Sequence, residues 1–325
     1  MKSSNIADSV FRVNLKYTEL QNETKELFFR CLDENRDSKY FNEQIRKIWG
    51  NLDHSFMDSE ISEYETLIHI RNIEGKEIVE EKKEGNVFDL VPLAVIIGVE
   101  KKFVKQKERE YKNSTKSYAY KNDKEDYLKL KVQKYTDQIV PYYPHTEGGQ
   151  IRYVELSTYC SMIHNVNLTR SGWNQTLKDG DELNQGLYFI PYHSFSCPHC
   201  VAHQNRILTK RDVMNIVGNV DRKNEILHPN CKCVLTFYDE NTKFNKPKYS
   251  YGELEEQYQI RQKTNSLTLQ KEKVRTDMKI QKSLGNEDEV DKLNQQRNKI
   301  NKEIRNLKEQ LPTKELQKQV TAINR

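Results

Sequence analysis

The sequence predicts an α+β protein that is mainly α: an elongated helical chain with a small β-containing module in its third quarter and a C-terminal helical hairpin or coiled coil. Three observations predict it. Only 35% of the 325 residues are hydrophobic while 31% are charged, and mean hydropathy is −0.91. So polar a chain suits long solvated helices that meet along narrow apolar seams. Apolar residues recur at helical spacing near both ends, and four of the six cysteines fall in two tight clusters between Ser194 and Tyr238.

Leu27, Cys31, Phe41, Ile45 and Trp49 line one side of two or three helices between Ile6 and Arg71, broken near Asn35 and Gly50. Cys31 and Trp49 read as core residues. The stretch NIEGKEIVEEKKEGNVFDL, 72–90, reads as strand or loop around two glycines, ahead of a helix from Pro92 through Tyr111. Residues 105–138 then mix Lys with Tyr. That mixture fits either a stacking surface for single-stranded nucleic acid or a solvated helix whose tyrosines pack on a neighbour. PYYPHTEGGQ, 141–150, concentrates Pro and Gly and marks a junction.

Beyond it, Ser157 or Thr158 opens a long helix ending near Gly180. GLYFIPYH, from Gly186, reads as a strand running into the first cysteine pair, and CVLTFY, from Cys233, as a strand leaving the second. At the C-terminal end Ile260, Leu267 and Val274 are spaced by sevens, and Val290, Leu293, Ile300, Ile304, Leu307 and Leu311 step by threes, fours and sevens. LGNEDE, 284–289, breaks the pattern, and Pro312 ends it. This seam is expected to pack on its own return helix or on another copy of the chain. The expected organisation is a helical region over 1–148, the cysteine module over 149–245 and the helical hairpin over 246–325.

Charge and targeting narrow the function. A formal charge of +5, from 53 basic against 48 acidic residues, is weakly basic, so weak DNA contact is permitted but a dedicated duplex binder is not indicated. The start lacks the apolar stretch of a secretory signal, and the longest apolar run, Leu90 to Val99, is half of what a membrane span needs. A soluble, non-secreted protein without membrane contact is expected, in a reducing compartment where clustered cysteines hold metal more often than disulfides.

Cys197-Pro198-His199-Cys200 is a C-x2-C knuckle, and His228-Pro229-Asn230-Cys231-Lys232-Cys233 supplies three more donors. Four thiolates, or three with one imidazole, complete a closed tetrahedral sphere, the signature of structural zinc. Cys197 and Cys200 are the firm candidates. Two more ligands come from Cys231, Cys233 and His228, with His203 as the outsider. The one-residue gap between Cys231 and Cys233 is read as needing either a turn, which Pro229 makes plausible, or replacement of one thiol by His228.

Hydrolase and NTPase readings lack a motif, since no G-x-S-x-G, Walker A loop or H-E-x-x-H occurs. No catalytic residue is assigned, and the expected function is not enzymatic. The alternatives are a zinc-containing nucleic-acid-binding protein or a nuclease of the His-Asn-His type. The nuclease would need a further histidine delivered by a helix, and none follows Tyr238.

From about residue 149 to 240, the stretches IRYVELSTYCSMIHNVNLTRSGWNQ, GLYFIPYHSFSCPHCVAHQNRILT and LHPNCKCVLTFY resemble the phage minor capsid protein 2 family and, more loosely, the Mu F-like head-morphogenesis domain of tailed phages. Tyr159, Cys197, Cys200, His228, Pro229, Cys231 and Cys233 fall on that pattern. Lys232 stands where the family usually has Arg, Asn205 stands at a usual Gly, and the helical tail does not align. The resemblance supports counting Cys233 as a ligand. It implies a minor head protein made in the bacterial cytoplasm, associating with portal or capsid proteins and residing in the virion at the portal vertex or capsid interior.

Overall fold

The computed structural model describes residues 4–74, 76, 86–142, 152–192, 198–201, 203–216, 231, 233–240, 242, 244 and 251–313. In chain order these form α1 (Ser4–Asp33), α2 (Ser38–Gly50), α3 (Ser55–Ile73), α4 (Leu93–Lys116), α5 (Tyr118–Asn122), α6 (Lys124–Lys134), β1 (Gln138–Tyr142), β2 (Arg152–Glu155), α7 (Leu156–Glu182), β3 (Leu187–Phe189), α8 (Pro198–Val201), β4 (Ile207–Thr209), α9 (Lys210–Ile216), β5 (Thr236–Phe237), α10 (Tyr251–Ser283) and α11 (Glu287–Glu309). The fold is mainly helical, with antiparallel β1–β2 and a three-stranded antiparallel sheet ordered β4-β3-β5.

Three long helices end the same way. After α1, α7 and α10 the chain takes a left-handed residue, Asn35 (φ 52), Asn184 (φ 51) or Gly285 (φ 70). The next N–H then reaches back five residues: Arg36 to Cys31 O at 2.8 Å, Gln185 to Gly180 O at 2.6 Å, Asn286 to Gln281 O at 3.0 Å. This is the Schellman arrangement, which satisfies carbonyls the helix end would orphan. The break expected near Asn35 and the one expected at Gly285 have this cause. The end expected near Gly180 shifts to Glu182 because Asn184 carries the left-handed turn. Gly180 instead stays helical, where an added Cβ would collide with the Tyr188 hydroxyl.

The largest core gathers Phe28, Phe41, Ile45, Trp49, Phe103 and Tyr111 from α1, α2 and α4. Phe41 stacks on Tyr111 at 4.2 Å, and Phe28 meets both rings edge-on. Cys31 is 1% exposed and Trp49 6%, as core residues should be. Trp49 donates from Nε1 to Thr24 Oγ1 at 2.9 Å, which satisfies its one polar atom. In the Lys-and-Tyr stretch, Tyr111 and Tyr120 are buried and donate to Arg36 O and Leu32 O. These two rings serve packing and are unavailable for base stacking.

Both expected boundaries, near 148 and 245, lie outside the described residues. Packing crosses each of them. Leu156, Cys160 and Ile163 of α7 join the first core, as does Ile280 of α10, and Lys25 pairs with Asp277 at 2.6 Å. Ile260, Leu267 and Val274 of α10 pack with Ile300, Ile304 and Leu307 of the return helix and with Leu311 just past its end. No described helix is long and apolar enough to cross a membrane.

α7 is buried nearly all round, yet it is rich in Asn, Ser and Thr. Its crossing with α3 is close at Gly172, where a Cβ would strike the Tyr64 ring. Gly172→Ala should therefore destabilise the chain by about 1 to 3 kcal/mol through overpacking, measured by urea denaturation. A neutral effect would mean Tyr64 yields freely.

Candidate metal centre

Asparagine and threonine on a buried helix must find partners, and several of those on α7 find them in the backbone of two segments that belong to no regular helix or sheet. Asn167 exchanges two hydrogen bonds with the Val91 backbone, Val91 N to Oδ1 at 2.8 Å and Nδ2 to Val91 O at 2.9 Å. Asn174, two turns on, does the same with Phe88, both at 2.8 Å. A second row, Asn165, Thr169, Trp173 and Thr176, grips the second cysteine segment. Asn165 Nδ2 donates to Cys231 O at 2.9 Å, with Thr169 Oγ1 3.0 Å from the same carbonyl, and Trp173 Nε1 donates to Cys233 O at 2.8 Å; Leu235 O lies 3.3 Å from Thr176 Oγ1 and accepts from Arg71 Nη2 of α3 at 3.1 Å. Carbonyls of alternate residues face the helix, which is the two-residue repeat of extended backbone.

That repeat corrects the expectation that Cys231 and Cys233 need a turn to share a site. Residues two apart in extended backbone point to one side. Docking on the helices also explains why CVLTFY is strand only at Thr236–Phe237: upstream, the carbonyls of Cys231 and Cys233 bond to side chains of α7 and that of Leu235 to Arg71 of α3. GLYFIPYH pairs only over Leu187–Phe189, because Pro191 has no N–H to continue a ladder.

β3 and β5 pair antiparallel, Tyr188 opposite Phe237 and Phe189 opposite Thr236. The end of β3 therefore lies beside the start of β5, so both cysteine segments meet at one end of the sheet. α8 opens with Pro198, whose fixed φ suits a first helical position, and carries Cys200. His203 and Gln204 donate from their backbone to Cys200 O and Val201 O at 3.0 and 3.2 Å, and Asn205 (φ 55) then turns the chain into β4.

The sulfur atoms of Cys200, Cys231 and Cys233 all lie within 4.8 Å of one another. Cys200 and Cys231 Sγ are 3.5 Å apart, and each of the three residues is 1% exposed. They are reduced; a disulfide would need about 2.05 Å. Thiolates on one zinc, each at about 2.3 Å, stand about 3.8 Å apart in a tetrahedron. The three thiols therefore could hold a metal ion after small adjustments. Gln204 Nε2 donates to Cys233 Sγ at 3.4 Å, the kind of contact that orients a ligating sulfur. Trp173, Leu177, Tyr188, Ile190, Leu208 and Leu235 pack around the cluster.

Cys197 and His228 lie outside the described residues. His203 stands beyond Cys200 and is not part of the converging group. Sequence reasoning missed the second row of α7 altogether. Its signal was present as polar or donor-bearing residues at 165, 169, 173 and 176, spaced for one helical face.

A second polar cluster went unnoticed because its members are far apart in sequence. His164 Nε2 meets Ser9 Oγ at 2.8 Å and Glu60 Oε2 at 3.1 Å, Ser9 donates to the same carboxylate, and Arg12 pairs with it at 2.8 Å. The residue types are those of an acyl-transfer triad, but the geometry is not. Serine and carboxylate share one ring nitrogen, and Nδ1 has no partner among the described residues, whereas a triad needs the carboxylate on Nδ1. The cluster ties α1, α3 and α7 together.

Burial acts to raise the Glu60 pKa, but hydrogen bonds with His164, Ser9 and Arg12 outweigh it and hold the carboxyl at about 2, below its ordinary 4.5. A depressed carboxyl contributes stability above its unfolded value and loses it as pH falls toward the folded one. Relative to Glu60→Gln, the chain should hold an advantage of roughly 2 kcal/mol above pH 4.5, discounted from the full shift for the 19% of the side chain left in solvent. The advantage should vanish near pH 2. Denaturant titrations at several pH values measure it, and a pH-independent difference would contradict the assignment.

No family model, curated protein or solved structure matches the chain.

Proposed function

We propose that the chain is a structural minor head protein of a tailed phage or prophage, whose third quarter is a zinc-stabilised module and whose helices contact portal or capsid proteins during assembly. The observation that carries it is the convergence of Cys200, Cys231 and Cys233 within a C-x2-C and H-P-x-C-x-C pattern resembling the minor capsid protein 2 family. Left-handed Asn205 adds support. It occupies the place of the family's usual Gly with a backbone conformation that Gly takes most easily and Asn next.

In this reading the metal is structural: Cys197 of the C-x2-C knuckle joins the three converging thiolates as fourth ligand, and a sphere so filled leaves no open position for a reacting water. A thiolate-rich tetrahedral set suits zinc or an iron–sulfur centre, and this reading takes zinc, the usual occupant of closed structural cysteine sites. Binding free energy then becomes folding free energy for the segments around Cys200 and Cys231. The α10–α11 hairpin, a coiled coil in this account, offers a long helical surface for self-association or head contacts. The protein is made in the host cytoplasm and ends in the virion.

Co-expression with the head genes of its own genomic neighbourhood, followed by purification of particles, tests the role. The wild-type chain should co-purify with particles, and a Cys200→Ser/Cys231→Ser variant should be lost from them. Particles that assemble without the wild-type chain would contradict it. Plasmid nicking abolished by His228→Ala would replace it with the nuclease reading.

A further inference from the structure

A cavity of about 350 Å³ lies between α1, the start of α7 and α10, with Val154 of β2 at its wall. Its chemistry differs from that of the rest of the molecule. Charged residues make up 31% of the chain, and the neighbouring cavities contain them: Asp8, Arg12 and Glu60 in one, Glu19, Glu23 and Asp53 in the next, Glu272, Arg275 and Lys279 in a third. The residues lining this cavity include no charged side chain. Instead Asn14, Asn165, Gln262, Asn265 and Ser266 share it with Val10, Met162 and Leu269.

We infer that this cavity binds an uncharged, extended peptide segment of a partner protein, about three residues at a time. Three arguments point there. A charged ligand would lose water there without meeting a counter-charge, which disfavours it. Asn14 is already bonded to Ser161 and Thr18, and Asn165 to Cys231 O, so Gln262 and Asn265 are the carboxamides that present a donor and an acceptor together, the complement of a peptide group. α7 already uses this pairing within the molecule, where Asn167 and Asn174 each hold a backbone amide by both its N–H and its C=O. Val10, Met162 and Leu269 then supply the apolar surface against which side chains of the segment lie, and the volume is within the range of small-ligand pockets.

The site also touches the thiol cluster. Asn165 lines the cavity and donates to Cys231 O at 2.9 Å, so an occupant lies one side chain from the candidate metal centre. The inference does not depend on which metal is held there.

The test uses the full chain and three blocked tripeptides, acetyl-Ala-Val-Ala-methylamide and its Glu-centred and Lys-centred counterparts, with N-acetylglucosamine as a neutral sugar. Binding is followed by amide and side-chain NH2 shifts of Asn14, Gln262 and Asn265. The neutral peptide should shift these signals saturably, at least tenfold more tightly than either charged peptide. Asn265→Asp should weaken it at least fivefold without lowering the melting temperature by more than a degree or two. Ser266→Glu at the exposed rim gives a second variant should the first unfold. Absence of saturable shifts, equal response to the three peptides, or response to the sugar alone would each overturn the inference.

Discussion

Replacing Cys231 and Cys233 with serine is expected to abolish metal binding and unfold the third quarter of the chain, while α10 and α11 remain helical. Cys231, Cys233 and Cys200 are each 1% exposed inside an apolar shell that includes Trp173 and Leu235. A bound divalent ion would offset most of the charge of the three thiolates. Without an ion the cluster holds either buried thiolates, which repel, or neutral thiols, whose hydrogen bonds are weak beside metal coordination. Structural zinc supplies on the order of 10 kcal/mol of folding free energy in small metal-dependent domains, more than the margin by which most domains are stable. The double variant should therefore carry no zinc by elemental analysis and lose protection from hydrogen exchange around Tyr188, Leu208 and Leu235. A strong chelator should produce the same pattern in the wild type. Full zinc content in the variant, or unchanged exchange at those amides, would contradict it.

The second large effect is expected at Trp173. Its indole is 1% exposed, packs edge-on against Phe88, and donates to Cys233 O. Trp173→Ala removes a large buried side chain at about 3 to 5 kcal/mol and leaves the Cys233 carbonyl without that donor. Trp173→Phe keeps most of the volume and loses the hydrogen bond, so it should cost only about 1 to 2 kcal/mol. The two variants separate packing from positioning. Denaturant midpoints give stability, and a zinc chelator competition gives affinity. If Trp173 sets the Cys233 backbone, Trp173→Phe should weaken zinc binding several-fold with only a small loss of stability. Equal affinity in Trp173→Phe and wild type would make the indole a packing residue alone.

Much of the helical frame was legible because its signals are local. Asn35 ends α1 and Gly285 ends α10 by backbone conformations that few residue types adopt. The sevenfold spacing from Ile260 to Val274 meets its return partners in the folded hairpin. The convergence of Cys200 with Cys231 and Cys233 was legible from spacing, since two segments flanking a pair of strands have few ways to meet.

What escaped depends on contacts made far along the chain. Nothing near Asn165 or Thr169 says that their side chains hold Cys231, and nothing near Ser9 indicates Glu60 and His164. The helix end expected near Gly180 falls at Glu182, but that Gly180 is also where Tyr188 approaches closely depends on a residue from the next strand. The strands were drawn too long for a related reason: hydrogen-bonding capacity that a strand would use at Cys231 and Cys233 is taken by α7, and at Leu235 by Arg71 of α3.

X-ray absorption at the metal edge of the purified, zinc-loaded chain tests the central claim most directly. A first shell dominated by sulfur at about 2.3 Å, with at least three sulfur neighbours and their loss in Cys200→Ser, Cys231→Ser and Cys233→Ser taken one at a time, is the predicted result. A shell of nitrogen and oxygen alone, or a sulfur count indifferent to all three substitutions, would contradict it.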